Sequence, residues 1–216
     1  MKDRLLNHRQ IWDLQHMQGY KGYMNFNKTR LKWVLSLLPE GFLTKESIVL
    51  EIGCGSGKWM KAVSPLVGEM YGVDISPEAI KIAAKNLEGC GNITLSFNDG
   101  ETLNVYDDNT IDLVYSFWTF QHIPRETTLS YLREIRRVLK KDGLLLFQVE
   151  SYYDPEKNMG DVDYLHENET EQIGYSLKDL LDAVTDSGLT LIHIALEDFR
   201  KAKRLYLWSL CKRSGS

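Results

Sequence analysis

The sequence predicts an α/β protein: a doubly wound, mostly parallel seven-stranded sheet with an antiparallel C-terminal strand and helices on both faces. Three observations carry this. From Ile48 onward, short apolar runs alternate with amphipathic segments, the pattern of a parallel sheet covered on both sides. A glycine-rich turn, Gly53-Cys54-Gly55-Ser56-Gly57, joins the first run to the segment that follows it. The last two apolar runs are linked only by Glu197 to Arg204, too short for a crossover, so they pair as a hairpin.

Taken in order, the first 40 residues read as helical. Apolar positions fall at Leu5, Ile11 and Leu14, then at Leu31, Val34, Leu35 and Leu38, with a break at Gly19–Tyr23. Ile48–Ile52 is the first strand, followed by a helix from about Lys58 to Leu66. Met70–Asp74 is the second. Ser76 then stands at an N-cap and Pro77 at the first helical position of a helix through Leu87. Ile93–Phe97 and Ile111–Ser116 are the third and fourth strands. Pro124 to Lys141 is a helix with Leu129, Leu132, Ile135 and Leu139 on one face, ended by Asp142-Gly143, and Leu144–Val149 is the fifth strand. A helix from about Leu177 to Thr185 precedes the closing strands, Leu189–Leu196 and Leu205–Leu210.

Composition narrows the function classes. The chain has 216 residues, 43% of them hydrophobic, which suits one domain with a good core and excludes wholesale disorder. With 26 basic and 30 acidic side chains, the net charge of −4 argues against a protein that coats nucleic acid. No run approaches the roughly 18 apolar residues of a membrane span. The charged N-terminal residues lack a signal peptide's apolar run, so a soluble cytoplasmic protein with no membrane partner is expected. Cys54, Cys90 and Cys211 form no C-x-x-C pair, and the five histidines show no ligand spacing, so no metal is expected.

The glycine turn admits three chemistries. A phosphate loop requires Gly-Lys-Ser/Thr, but Trp59 follows Gly57-Lys58, and Ile52 stands at the upstream glycine position. A dinucleotide fingerprint would place its third glycine where Lys58 stands. The remaining G-x-G-x-G spacing, preceded by Glu51, suits a nucleoside with an amino-acid tail. Asp74 ends the second strand, where a carboxylate can accept both hydroxyl hydrogens of a ribose, whichever nucleoside cofactor carries it. Asp99 follows the third strand, where it can accept from an adenine amino group, with Ile75 and Leu103 flanking the ring.

These residues resemble the class I S-adenosylmethionine-dependent methyltransferases over about Ile48 to Val149. Val49–Gly57 is similar to the family's first motif, Val73-Asp74-Ile75-Ser76 to its second and Asn98-Asp99-Gly100-Glu101 to its third. Ile111–Ser116 resembles the fourth-strand motif. Ile135–Gly143 resembles the passage that commonly ends Leu-Lys-Pro-Gly-Gly, with Lys141 and Asp142 in place of Pro-Gly. The resemblance implies that S-adenosyl-L-methionine is the cofactor. It implies that Gly53, Gly55 and Gly57 wrap the methionine portion, with Cys54 in the same loop and Glu51 supporting it. Asp74 would hold the ribose beside Ile75, Asp99 the adenine amino group and the Gly100 amide a ring nitrogen. Glu101 belongs to that third motif, and Phe117 would line the cleft.

On this reading the chain is a single methyltransferase domain, residues 1–216. Residues 1–40 form a helical lid, 48–149 the cofactor-binding core, 151–174 an acidic insertion, and 175–216 a C-terminal helix and hairpin. The expected reaction is in-line methyl transfer to an O, N or C nucleophile of a small molecule. Alternatives are a protein or RNA methyltransferase and a non-catalytic cofactor-binding regulatory subunit. Ser116–Pro124 contains no Asn-Pro-Pro-Tyr-like tetrapeptide, which disfavours a nucleic-acid acceptor. His122 in that segment is the candidate general base, or else a histidine that pins the turn. Tyr20, Tyr23, Trp118, Tyr152 and Tyr153 are candidate acceptor-lining residues.

Overall fold

Alternating β-branched and leucine-rich runs become strands wherever both faces can be covered. The computed structural model describes residues 2–17, 28–152, 173–199 and 204–215, and divides into two compact units, residues 1–100 and 101–216. The expected cofactor-binding core, 48–149, runs across that division.

The first unit holds α1 (Lys2–Met17), α2 (Lys28–Leu35), β1 (Ile48–Ile52), α3 (Lys58–Val63), β2 (Glu69–Asp74), α4 (Pro77–Asn86) and β3 (Ile93–Phe97). Its strands lie in the order β3-β2-β1, all parallel, with Ile52 opposite Val73 and Asp74 opposite Phe97. The C-terminal ends of β1, β2 and β3 therefore share one rim. α3 stops at Val63, short of the expected Leu66, because Pro65 has no N–H to give; the chain continues as a 3₁₀ turn over Ser64–Leu66. α4 begins as its sequence implies. The Ser76 hydroxyl oxygen accepts from the Ala79 amide at 3.0 Å, Pro77 takes the first helical position, and Ala79 and Ala83 are buried.

The second unit holds β4 (Ile111–Ser116), α5 (Arg125–Val138), β5 (Leu139–Tyr152), α6 (Leu177–Asp186), β6 (Leu189–Phe199) and β7 (Arg204–Arg213). Its strand order is β4-β5-β7-β6, with β7 antiparallel to both neighbours. The two units thus contribute the seven strands of a mixed sheet, mostly parallel, with the last strand reversed. The predicted helix to Lys141 ends earlier, at Val138. Leu139 pairs with Ile111, and a register shift places Leu144 opposite Leu113, so Lys140 to Gly143 form an irregularity within β5. Leu139 is fully buried in the strand, as it would be on the helix's apolar face, so periodicity does not separate the two.

Arg137, near the end of α5, fixes the segment that leads into β4. Its guanidinium donates to Glu134 through Nε at 3.0 Å and Nη2 at 2.8 Å, to Asp108 Oδ1 at 2.7 Å, and to the Leu103 and Tyr106 carbonyls. Hydrogen bonding to Glu134 raises the Arg137 pKa above its ordinary value, and the same contact lowers that of Glu134. Leu103 is fully buried, and its amide donates to Glu134 Oε2. Among the described residues, no helix is long and apolar enough to cross a membrane, and no cluster of three metal-ligating side chains occurs.

Candidate functional site

In the first unit the chain leaves β1 through a loop that three left-handed residues make possible: Gly53, Gly55 and Gly57 have φ of 72°, 50° and 75°. Two of these positions differ in what surrounds them. A Cβ built on Gly55 meets no atom within 4 Å, so the loop is bare toward open space there. A Cβ on Gly57 would stand 2.7 Å from Leu87 Cδ1 and 3.4 Å from the Ala83 Cβ, so Gly57 is a packing contact against α4 and the residue after it. The Gly53 and Cys54 amides both donate to the Val73 carbonyl, at 2.8 and 3.0 Å, which ties the loop to the end of β2.

Asp74 completes that tie. Its Oδ2 accepts from the Gly55 amide at 2.8 Å and its Oδ1 from the Ser76 amide at 2.9 Å. A carboxylate has roughly four lone-pair positions, so two remain for other donors. Burial holds the Asp74 carboxyl above the usual carboxylate range, opposed by these two backbone donors and by His16. Cys54 is buried, and its thiol is pushed well up by burial, with the Asp74 and Glu51 charges adding to the effect. Glu51 itself is buried at the end of β1. The structure thus brings Glu51, the glycine loop and Asp74 together. Ile75 is half-buried beside them.

The third motif is arranged differently from the expectation. Asp99 is exposed, and the Gly100 amide donates to Asn98 Oδ1 at 2.7 Å, where an adenine nitrogen was expected as its acceptor. Asn98 closes a local turn by the usual route for that side chain.

Thiol reactivity follows from the same burial. Cys211, fully buried on β7, has its thiol pushed up to about 12, while Cys90 is half-buried. Native protein is expected to react with a disulfide reagent quickly at Cys90 alone. Cys54 and Cys211 should require unfolding, and fast labelling of Cys54, read by peptide mapping, would contradict its placement.

In the second unit, Glu101 is half-buried at the start, and the segment after β4 carries the remaining candidates. Phe117 is buried, its ring stacked on Tyr115 at 4.9 Å and tilted against Trp208 at 5.2 Å. Trp118 has φ of 55°, a strained value for a large side chain, and packs edge-on to Trp208 at 5.3 Å and to Tyr206 at 6.2 Å. Phe120 packs toward α5, its ring 6.3 Å from that of Tyr131.

His122 is buried at the end of a hydrogen-bond chain whose direction a backbone donor fixes. The Trp118 amide donates to Gln148 Oε1 at 2.9 Å, and Gln148 Nε2 donates to Gln121 Oε1 at 3.0 Å. Gln121 Nε2 therefore presents hydrogens to His122 Nε2, 3.4 Å away. The Nε2 lone pair faces that amide as an acceptor. Tyr20, Tyr23 and Tyr153 lie outside the described residues, as do the Gly19–Tyr23 break and most of the acidic insertion. Tyr152 is described only as the last residue of β5.

Sequence reasoning missed several residues. Gln148 shows itself only as a polar residue inside the run Leu144–Val149, and Tyr206 and Trp208 only as alternating aromatics on a strand. Asp13 and His16 give no signal in a helix without a clear apolar stripe.

Residues 49–143 match a family described as a methyltransferase domain. Similar proteins include a demethylmenaquinone methyltransferase from Geobacillus kaustophilus, 27% identical over 134 residues, covering 60% of this chain and 56% of that protein. Another is the methyltransferase YcgJ of Bacillus subtilis, 31% identical over 112 residues, covering 51% of this chain and 43% of that protein. The chain spans about half the length of the relatives it matches. Solved structures share the fold. A chain of the Haloferax volcanii complex between the Trm112 methyltransferase activator and a methyltransferase superposes with a TM-score of 0.74 at 20% identity, covering 94% of this chain and 98% of that one. The YcgJ structure gives 0.71 at 17% identity, covering 88% and 100%.

Proposed function

We propose that the chain binds S-adenosyl-L-methionine on the glycine loop and Asp74, and transfers its methyl group to a small-molecule nucleophile. One observation carries the reading: the Gly55 amide is held by Asp74 Oδ2, while the Gly55 Cα faces open space. A loop bare of a side chain at Gly55, beside a buried carboxylate with lone pairs to spare, fits an amino-acid tail next to a ribose diol. When bound, the cofactor supplies an electrophilic methyl on a sulfonium.

The chain's own part is placement. Asp74 accepts from the ribose hydroxyls, the glycine loop makes room for the charged tail beside Glu51, and Asp99 accepts from the adenine amino group. In-line transfer depends chiefly on such alignment. His122 acts as a positioning residue here, because its Nε2 is occupied by Gln121. The small-molecule acceptor is supported by relatives named demethylmenaquinone methyltransferase. It is also supported by the half-buried Trp118 and Tyr206 rings, which suit a flat apolar partner.

Calorimetric titration with S-adenosylhomocysteine tests the cofactor. Saturable binding at one site is expected, and its absence in folded protein would defeat the reading. Incubation with methyl-labelled cofactor and size-separated cell extract tests the acceptor. Label should appear in the small-molecule fraction; label only in macromolecules would replace the small-molecule acceptor by a protein or RNA.

A further inference from the structure

We infer that α1 is part of the cofactor site, and that His16 shares the ribose hydroxyls with Asp74. The inference rests on the cofactor reading above and adds a residue that the methyltransferase motifs do not contain.

Three contacts place α1 on the rim where β2 and β3 end. The Arg9 guanidinium lies over the ring of Phe97, the last residue of β3, 4.8 Å from its centroid. Asp13 Oδ1 accepts from the Ser76 hydroxyl at 2.5 Å and from the Glu78 amide at 3.4 Å, both just after β2. His16, one turn further along, is 9% exposed and within the electrostatic reach of Asp74, Asp13 and Glu78. The rim that α1 covers is thus the one holding Asp74 and, after β3, Asp99.

The helix is not docked there as an ordinary core helix. Leu14 is 56% exposed and Met17 69%, while the histidine is buried. Burying a polar ring and leaving the leucine in water inverts the usual ranking. Among the described side chains of α1, the contacts to this rim are polar. A neutral imidazole offers one N–H and one lone pair, which suits a pair of vicinal hydroxyls already facing a carboxylate.

The arrangement has a pH signature. Burial depresses the His16 pKa from its ordinary 6.5, and the surrounding charges of Asp74, Asp13 and Glu78 oppose that shift. Arg9 lies 3.9 Å from Asp13, and Lys81 pairs with Glu78 at 3.1 Å, so these cations belong to the same group. A ribose laid over His16 removes more water from the ring and disfavours its charged form further. Binding then favours neutral His16, and affinity falls as pH drops below about 6.5 through the depressed His16 value.

The test is S-adenosylhomocysteine affinity, measured by calorimetry from pH 8 to 5 on full-length wild type and two variants. His16→Ala is expected to bind about tenfold more weakly at pH 7.5, as for one lost hydrogen bond. 5′-Methylthioadenosine, which lacks the amino-acid tail, should lose the same factor. His16→Gln keeps a donor and an acceptor but does not titrate. It should bind within about threefold of wild type at pH 7.5 and lose the fall in affinity that wild type shows below about pH 6.5. Binding by His16→Ala within twofold of wild type, or a wild-type pH profile in His16→Gln, overturns the inference. Failure of wild-type protein to bind either ligand overturns the cofactor reading itself.

Discussion

Asp74→Ala is expected to reduce affinity for S-adenosylhomocysteine by about two to three orders of magnitude at pH 7.5. The side chain acts on both partners of the complex. Toward the protein it accepts from the Gly55 and Ser76 amides, and so fixes the loop against the end of β2. Toward the ligand it offers the lone pairs that remain. Hydrogen bonds to a charged group contribute about 1.5–3 kcal/mol each, so two lost ribose contacts at the lower end of that range amount to about 3–4 kcal/mol. That corresponds to a factor of about 10² to 10³. Asp74→Asn keeps the shape but can accept through one atom only, and should fall between wild type and alanine. Calorimetry on both variants provides the check; an alanine variant within tenfold of wild type would remove Asp74 from the ribose site.

Gly57→Val should lower stability more than Gly55→Val. At φ of 75° an L residue costs about 1–2 kcal/mol, and a β-branched residue is a worse case. The new Cβ also stands 2.7 Å from Leu87 Cδ1, and overpacking of that kind costs about 1–3 kcal/mol. The sum, about 2–5 kcal/mol, corresponds to a fall in Tm of roughly 4–20 °C for a chain of this size. Gly55→Val shares the backbone cost, at φ of 50°, but meets no atom within 4 Å. It should melt much closer to wild type and yet fail to bind S-adenosylhomocysteine, since its side chain fills the space the ligand needs. Thermal melts of the two variants separate the roles, and equal Tm values would contradict the distinction.

The strands and the loop chemistry were legible because each depends on local pattern. Ser76-Pro77 marks a helix start, the alternating glycines mark a left-handed turn, and an acid ends β2. The end of α5 was not legible, because Leu139 is buried whether it continues the helix or enters the sheet. The extents of β5, β6 and β7 were underestimated, since Glu150, Glu197 and Asp198 break the apolar run yet keep their places in the ladder. Tertiary assembly hid the rest. Gln148, Gln121 and His122 form one network from two distant stretches, and only folding shows that the histidine's lone pair already has a donor. Asp13 and His16 lie about sixty residues before the acid and helix cap they adjoin, on a helix whose sequence advertises no face.

The insertion of β7 between β5 and β6 also sets an order of events during synthesis. β6 leaves the ribosome before β7 but has no sheet neighbour until residues 204–213 arrive, and β5 meanwhile presents an open edge rich in leucine. Nascent second units pass through a window in which the unpaired β6 and the open edge of β5 can recruit strands of other chains. Slower translation through residues 189–213 would lengthen that window, so the demand for chaperones should peak there.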